Sequence, residues 1–310
     1  MLNWYYLSLV AMNDCKVLER HLANNLTPER LLDLVMVCFE MIVSRNQAKK
    51  VIKSNCVLVN NKTGRTGDWI NKGDVVEVCE GSETPPKAYK MDLEVIYQDG
   101  DLAIVNKPAG LVVSANQYKT LQNVLVHIFE TSPVVGGLSW ARPVHRLDAP
   151  TCGLMIIARS SLALLDLGNQ FKNNEINKIY QAIAVGDTPT SGIIDLAIDN
   201  KNAFTQYTVS RKVNSLRNKV LSLLELKPKS GRTHQIRRHL AHLGFPILGD
   251  ELYGEEGNVL KHHGLYLVAT GLKFKHPRSK KELNFSLPLP HKFVSRLQGE
   301  QRRWEKYNEG

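Results

Sequence analysis

Residues 145–154 read HRLDAPTCGL, one aspartate set between a basic pair and a run of small residues. Ala-Pro-Thr-Cys-Gly is good punctuation between two strands, so taken alone the segment is a surface turn with mixed charge. After it, GLMIIAR is an apolar run of strand length. Further strand candidates are KIYQAIAVG, FTQYTVSRKV, KVLSLLELKP and GLYLVATGLKF, and TLQNVLVHIFE, LALLDLGNQFKNN and THQIRRHLAHLG have helical spacing. Before it, LEVIYQDGDLAIVNKPAGLVV holds two apolar runs separated by Asp-Gly-Asp, a hairpin signal. Many strands with few helices between them predict an α+β domain on a mixed, largely antiparallel central sheet with flanking helices, rather than a doubly wound one.

The 310 residues favour about two domains. Residues 27–80 read as a small helix-helix-strand module. TPERLLDLVMVCFEMIV predicts one helix capped by Thr27, SRNQAKKVIKSN a second capped by Ser44, and CVLVNNKTGRTGDWINKGDVVEV short strands joined by turns. Residues 81–90 are polar with two consecutive prolines and read as a linker. The larger domain is expected over 91–294, with a charged tail over 295–310 that suggests a surface helix. Residues 1–26 carry no assignable pattern.

Lys and Arg outnumber Asp and Glu by 40 to 30, a net charge of +10, which points to a polyanionic partner without specifying a fold. The charge is placed in two acid-free windows. One lies between Glu40 and Asp68 and holds Arg45, Lys49, Lys50, Lys53, Lys62 and Arg65; the other runs from Leu226 to Gly249. Either window alone is also compatible with a solvated basic face. Five cysteines without a Cys-x-x-Cys pair indicate neither a disulfide framework nor a zinc site, and predict reduced thiols in a cytosol. The apolar start lacks a basic leader, and LLDLVMVCFEMIV is short and broken by Asp33 and Glu40, so neither secretion nor a membrane span is expected.

Familiar catalytic devices are missing. His234, His239 and His242 are spaced by five and three without the glutamate of an H-E-x-x-H site, which disfavours a metal. There is no G-x-S-x-G elbow and no G-x-x-x-x-G-K-[ST] phosphate loop.

Three blocks remain: RPVHRLDAPTCGLMIIA, KIYQAIAVG and LKPKSGRTHQIRRHLAHLGFPILGDELYG. Together they resemble the RluA-type family of RNA pseudouridine synthases, over roughly residues 93–290. The preceding module resembles the small RNA-binding domain named for ribosomal small-subunit protein four, through SRNQAKKVIKSNCVLVNNK and GDVVEV.

The resemblance implies the pseudouridine synthase fold and an isomerase of uridine in structured RNA that needs no cofactor and no metal. It makes Asp148 the catalytic carboxylate, Arg237 its ion-pair partner, Tyr180 the side chain against the target base, and Arg146 the residue that fills the gap when the uridine leaves the stack. Arg232 and His234 are expected near a phosphate, aided by a helix N-terminus at about Thr233. Arg45, Lys49, Lys50 and Lys53 would form a phosphate-tracking face on one helix. Gly249, Asp250, Tyr253 and Gly254 read as a structural turn, and His145 and Thr151 as support for the Asp148 turn. Ala149, Pro150 and Cys152 depart from the family pattern and bear on which RNA fits. Ribosomal RNA of the large subunit is the expected partner, transfer RNA the alternative, and a monomer the expected state. The reading from another class is a non-catalytic RNA-binding or ribosome assembly protein.

Overall fold

The computed structural model describes residues 17–24, 26–39, 42, 44–79, 85–254 and 264–308. The chain divides after Thr84 into two compact units.

The smaller unit comprises β1 (Val17–Leu22), β2 (Glu29–Arg30), α1 (Leu31–Cys38), α2 (Arg45–Lys53), β3 (Val57–Val59), β4 (Lys62–Thr63), β5 (Trp69–Ile70) and β6 (Val75–Cys79). Antiparallel pairing orders four strands β1-β6-β3-β4. Leu31, Leu34 and Val35 of α1 and Ala48 and Ile52 of α2 pack with Val57, Val76 and Val78 in one core. The single helix predicted from Thr27 is corrected at both ends. Glu29 and Arg30 are extended because they pair with Ile70 and Trp69, so the helix starts at Leu31 behind Arg30, which lends no side-chain cap, and Phe39 leaves it in extended conformation. Ser44 does cap α2, its Oγ accepting from the Gln47 N–H at 3.2 Å. β1 lies inside the stretch without assignable pattern and joins the sheet through β6. Residues 1–16 and 25 of that stretch, and 81–84 of the expected linker, lie outside the described residues.

The larger unit comprises β7 (Glu94–Gln98), β8 (Leu102–Lys107), α3 (Leu121–Ile128), β9 (Gly137–Pro143), β10 (Cys152–Ser160), α4 (Ser161–Lys172), β11 (Asn177–Val185), β12 (Ser191–Asp195), β13 (Phe204–Ser215), β14 (Lys219–Pro228), α5 (Gln235–His242), β15 (Leu267–Lys275), β16 (Glu282–Ser286) and α6 (His291–Asn308). Ten strands form one sheet in the order β12-β13-β14-β11-β15-β10-β8-β7, with β16 on β15 and β9 on β10. The sheet is mixed and largely antiparallel, with β10 and β15 its parallel pair. β10 is buried from Gly153 to Ser160, which explains its unbroken apolar sequence, whereas β13 alternates exposed and buried residues. Gly153 has a φ of +117°, and a Cβ there would lie 2.1 Å from the Ala269 carbonyl oxygen, so only glycine lets β10 approach β15 where the chain leaves the Asp148 turn.

The charged tail is a helix, as expected, and it starts before residue 295 and is anchored on one face. α6 begins at His291 and buries Phe293 and Leu297 in the core beside β14 and β15 residues. Its Glu300 carboxylate, buried, accepts from Ser215 Oγ at 2.8 Å and pairs with Arg296 and Arg303. No described helix is long and apolar enough to cross a membrane.

Candidate active site

The 144–151 segment links β9 to β10 and is held from below by a lysine. Lys107, at the end of β8, is fully buried, and its Nζ donates to the carbonyls of Leu111 at 2.8 Å, Pro108 at 2.9 Å and Ala149 at 3.2 Å. All three ammonium donors are thus used, which makes the burial tolerable although it pulls the pKa down to about 8. The Ala149 carbonyl also accepts from the Gly110 N–H at 2.7 Å, and the Thr151 N–H donates to the Asp148 carbonyl at 3.1 Å, closing the turn. His145 Nε2 accepts from the Ile156 N–H at 3.0 Å, and its ring lies 4.6 Å from that of Phe171. Burial pushes its pKa down to about 3, so this imidazole is neutral and supports the turn.

The Asp148 carboxylate projects from that turn, its side chain 16% exposed, towards α5. Arg237 Nη1 lies 3.8 Å from Oδ2, and His234 Nε2 lies 3.8 Å from Oδ1. Arg237 directs its bidentate fork at Asp250. Arg237 Nε donates to Asp250 Oδ2 at 2.8 Å and Nη2 to Oδ1 at 2.7 Å. Asp250 is buried, and its Oδ1 also accepts from the backbone N–H groups of Leu252 and Tyr253. The turn residue therefore does two jobs: it caps its own loop and clamps the guanidinium so that the remaining nitrogen faces Asp148. Tyr253 adds its ring to Arg237, 5.1 Å away, and its hydroxyl to His234 Nδ1 at 3.0 Å.

The predicted helix start at Thr233 is also corrected. α5 begins at Gln235, and His234 ahead of it has a φ of 55° in the left-handed region. Gln235 bends back, its Oε1 accepting from Ser230 Oγ at 2.7 Å and from the Arg232 N–H at 3.0 Å. That holds the 230–234 loop against the helix and turns the His234 ring towards Asp148 and Tyr253.

Tyr180, on β11, packs against both large core clusters that meet at this point. Burial, and then the charge of Asp148, push its phenol well above the usual tyrosine range, so it carries its proton at neutral pH. Asp148, Tyr180, Arg146, Arg232, His234 and Arg237 all line one cavity of about 80 Å³, which extends to Leu267 of β15. A wider cavity of about 570 Å³ adjoins it, sharing Arg146, Asp148, His234 and Arg237 and adding Ala149 and Pro150. Arg146 is exposed, and its guanidinium makes no ion pair among the described residues. Arg232 is exposed as well, its Nε donating to the Asn202 carbonyl at 3.3 Å.

The four basic residues of α2 belong to the other unit. Arg45 is paired with Asp33 at 2.7 Å, and Lys49, Lys50 and Lys53 are exposed. His239, the middle histidine of its block, is buried with both ring nitrogens engaged, by Thr205 Oγ1 at 2.9 Å and the Leu196 carbonyl at 3.0 Å. Sequence reasoning missed two residues, Lys107 and the clamping role of Asp250. Each left a signal: a lysine at the end of an apolar strand run, and the carboxylate that ends the second acid-free window.

The comparisons with known proteins agree on one family. The sequence profile described as RNA pseudouridylate synthase matches residues 101–242. The chain is 33% identical over 282 residues to a Bacillus subtilis protein called an uncharacterized RNA pseudouridine synthase, covering 84% of this chain and 90% of that one. It is 32% identical over 292 residues to the ribosomal large subunit pseudouridine synthase D of Xanthomonas campestris, covering 84% and 86% respectively. Among solved structures, human RNA pseudouridylate synthase domain containing 4 aligns with a TM-score of 0.54 at 25% identity, over 66% of this chain and 92% of that chain. With a mixed, largely antiparallel sheet and a relative of this identity spanned almost end to end, the chain belongs to the RNA pseudouridine synthase family and is an isomerase acting on RNA.

Proposed function

We propose that this enzyme isomerises a uridine of large-subunit ribosomal RNA, with Asp148 as the catalytic carboxylate and the target base turned out of its stack into the 80 Å³ cavity. The observation that carries this reading is the position of Asp148 in the wall of that cavity, with Arg237 and His234 each 3.8 Å from its carboxylate and Tyr180 lining the same cavity.

The reaction breaks the bond from ribose C1′ to uracil N1, rotates the uracil and joins C1′ to C5; N1 gains a proton and C5 loses one to solvent. The carboxylate is the nucleophile or base that starts it. A base inside a duplex offers no access to its glycosidic bond, so extrusion is demanded, and it costs a few kcal/mol that an inserted side chain can offset. Arg146, exposed and without an ion pair among the described residues, suits that insertion. The protonated Tyr180 phenol, half-buried on the cavity that Asp148 lines, suits a contact with the base. No residue role here calls for a metal or a cofactor. The name of the Xanthomonas relative favours ribosomal over transfer RNA as the substrate. The smaller unit, with its basic α2, is read as an RNA-binding domain like that of ribosomal small-subunit protein four.

The test is tritium release from RNA labelled at C5 of uridine, run on unmodified ribosomal and transfer RNA fractions. Wild type should release tritium from the large-subunit ribosomal fraction, and Asp148→Asn should release none while binding that RNA within a few-fold. Turnover by Asp148→Asn would remove Asp148 from its role. Tight binding without release by wild type would favour the non-catalytic assembly-protein reading, and release from transfer RNA alone would redirect the substrate.

A further inference from the structure

β11 carries a second functional group besides Tyr180, a lysine whose ammonium reaches a loop in the cavity wall. The β11–β15 register shifts between Ile179 and Tyr180, and Lys178 lies two residues before Tyr180 on β11, opposite Leu272 of β15. Its Nζ donates to the Ser230 carbonyl at 3.0 Å, and among the described residues it has no other partner and no carboxylate. Lys107 is the instructive contrast: it is fully buried where Lys178 is half-buried, and each of its three donors meets a carbonyl. Lys178 holds two donors and a full charge in reserve, at the edge of the loop Ser230–Gly231–Arg232 that forms one wall of the cavity. Removing an ammonium from water without a counter-anion is costly, and burial pulls this pKa down to about 8. An anion arriving there would meet a preformed, partly desolvated cation, with the exposed guanidiniums of Arg146 and Arg232 on the same cavity.

We infer that Lys178 and the Ser230–Arg232 loop form a phosphate site for RNA, occupied by the backbone phosphate of the nucleotide whose base enters the cavity. The inference rests on the proposed function, since it presumes an RNA strand whose base is turned into that cavity. A phosphate suits Lys178 because its tetrahedral oxygens accept from a rotatable ammonium without a fixed fork. Binding there would fix the sugar over Asp148 and thereby the reacting bond, so Lys178 acts as a binding and positioning residue.

The experiment compares wild type with Lys178→Gln and Lys178→Arg, each checked by thermal melting, for binding to an unmodified large-subunit ribosomal RNA transcript over a range of potassium chloride concentrations. Lys178→Gln keeps a donor for the Ser230 carbonyl but has no charge, which separates the loop hydrogen bond from the phosphate attraction. Its affinity should fall at least several-fold at low salt, and its slope of log Kd against log salt should flatten by roughly 0.7, the value for one neutralised phosphate on a single strand. Lys178→Arg should keep both the slope and most of the affinity. A Lys178→Gln slope equal to that of wild type would overturn the inference and leave Lys178 a latch for the 230–234 loop. Should Lys178→Gln not fold, acetylation of Lys178 in folded wild-type protein decides: protection by saturating RNA supports the site, and an unchanged acetylation rate overturns it. Wild type that binds none of the RNA would instead break the proposed function on which the site rests.

Discussion

Helices α2 and α5 are alike in sequence and opposite in use. Each is short, basic and free of acids: RNQAKKVIK in one, QIRRHLAH in the other. α2 buries Ala48 and Ile52 and turns Lys49, Lys50 and Lys53 to solvent. α5 buries Arg237 and His239 beside Ile236 and Leu240. The difference lies in what the rest of the chain sets opposite each helix. Around α5 stand Asp250, thirteen residues on, and Thr205, thirty-four residues back, each within 3 Å of a buried side chain. On α2 the carboxylate of Asp33 holds Arg45, and that pair is exposed. A cation acquires a fixed direction when a buried partner meets it, and a fixed direction is what the catalytic role proposed for Asp148 would use.

The sharpest way to break this contrast is Asp250→Ala. It leaves the Arg237 guanidinium buried without its bidentate partner and removes the acceptor of two backbone N–H groups. Breaking a buried ion pair on one side typically costs about 3–5 kcal/mol, so urea unfolding should show a loss of that order, together with loss of tritium release. Replacing both partners, Arg237→Met with Asp250→Leu, should recover much of the stability and none of the activity. Recovery of activity in the double variant would mean that Asp148 works without Arg237.

Helix caps extend the comparison at smaller amplitude. Ser44 accepts from the Gln47 N–H at the start of α2, while His234 caps α5 without a side-chain bond and Gln235 reaches back in its place. Ser44→Ala should therefore cost about 1 kcal/mol, confined to the smaller unit, and leave tritium release at saturating RNA within two-fold. A larger loss of turnover would tie the conformation of α2 directly to catalysis.

The same contrast explains what can be read from the sequence. The residues lining the cavity are legible, because Asp148, Tyr180 and Arg237 stand in blocks whose residue types are specific and close in sequence. The Ser44 cap, the β7–β8 hairpin and the buried run of β10 are legible too, since each depends on neighbours within a few residues. What the sequence hides depends on distant partners. Thr27 has the chemistry of a cap, but Glu29 and Arg30 find Ile70 and Trp69 and stay extended. The charges of 295–310 give no hint that Glu300 points inward to Ser215, eighty-five residues earlier in the chain. β9, β12 and β16 are short and rich in Gly, Pro or polar residues, and each is made a strand by the neighbour it pairs with. The sequence pattern pairs Arg237 with Asp148 and does not show that its fork is held by Asp250, because a fork takes whichever carboxylate the fold places in line with it.

The smallest expected effect on stability tests whether the exposed helix has any task at all. Lys49 and Lys53 are one turn apart on the outer face of α2, and neither makes an ion pair among the described residues, unlike Arg45. Surface substitutions of this kind usually change stability by less than about 0.5 kcal/mol, so Lys49→Gln with Lys53→Gln should leave the melting curve almost unmoved. If α2 tracks RNA phosphates, the same pair should weaken binding to large-subunit ribosomal RNA and flatten its salt slope by roughly 0.9 for each duplex phosphate no longer neutralised. Tritium release at saturating RNA should stay unchanged, since no charge at the cavity is altered. An unchanged salt slope would make α2 a solvated face whose basic pattern serves solubility. A changed one would give the two helices different tasks, α2 holding RNA by charge without direction and α5 aiming a charge at Asp148, the carboxylate proposed to react.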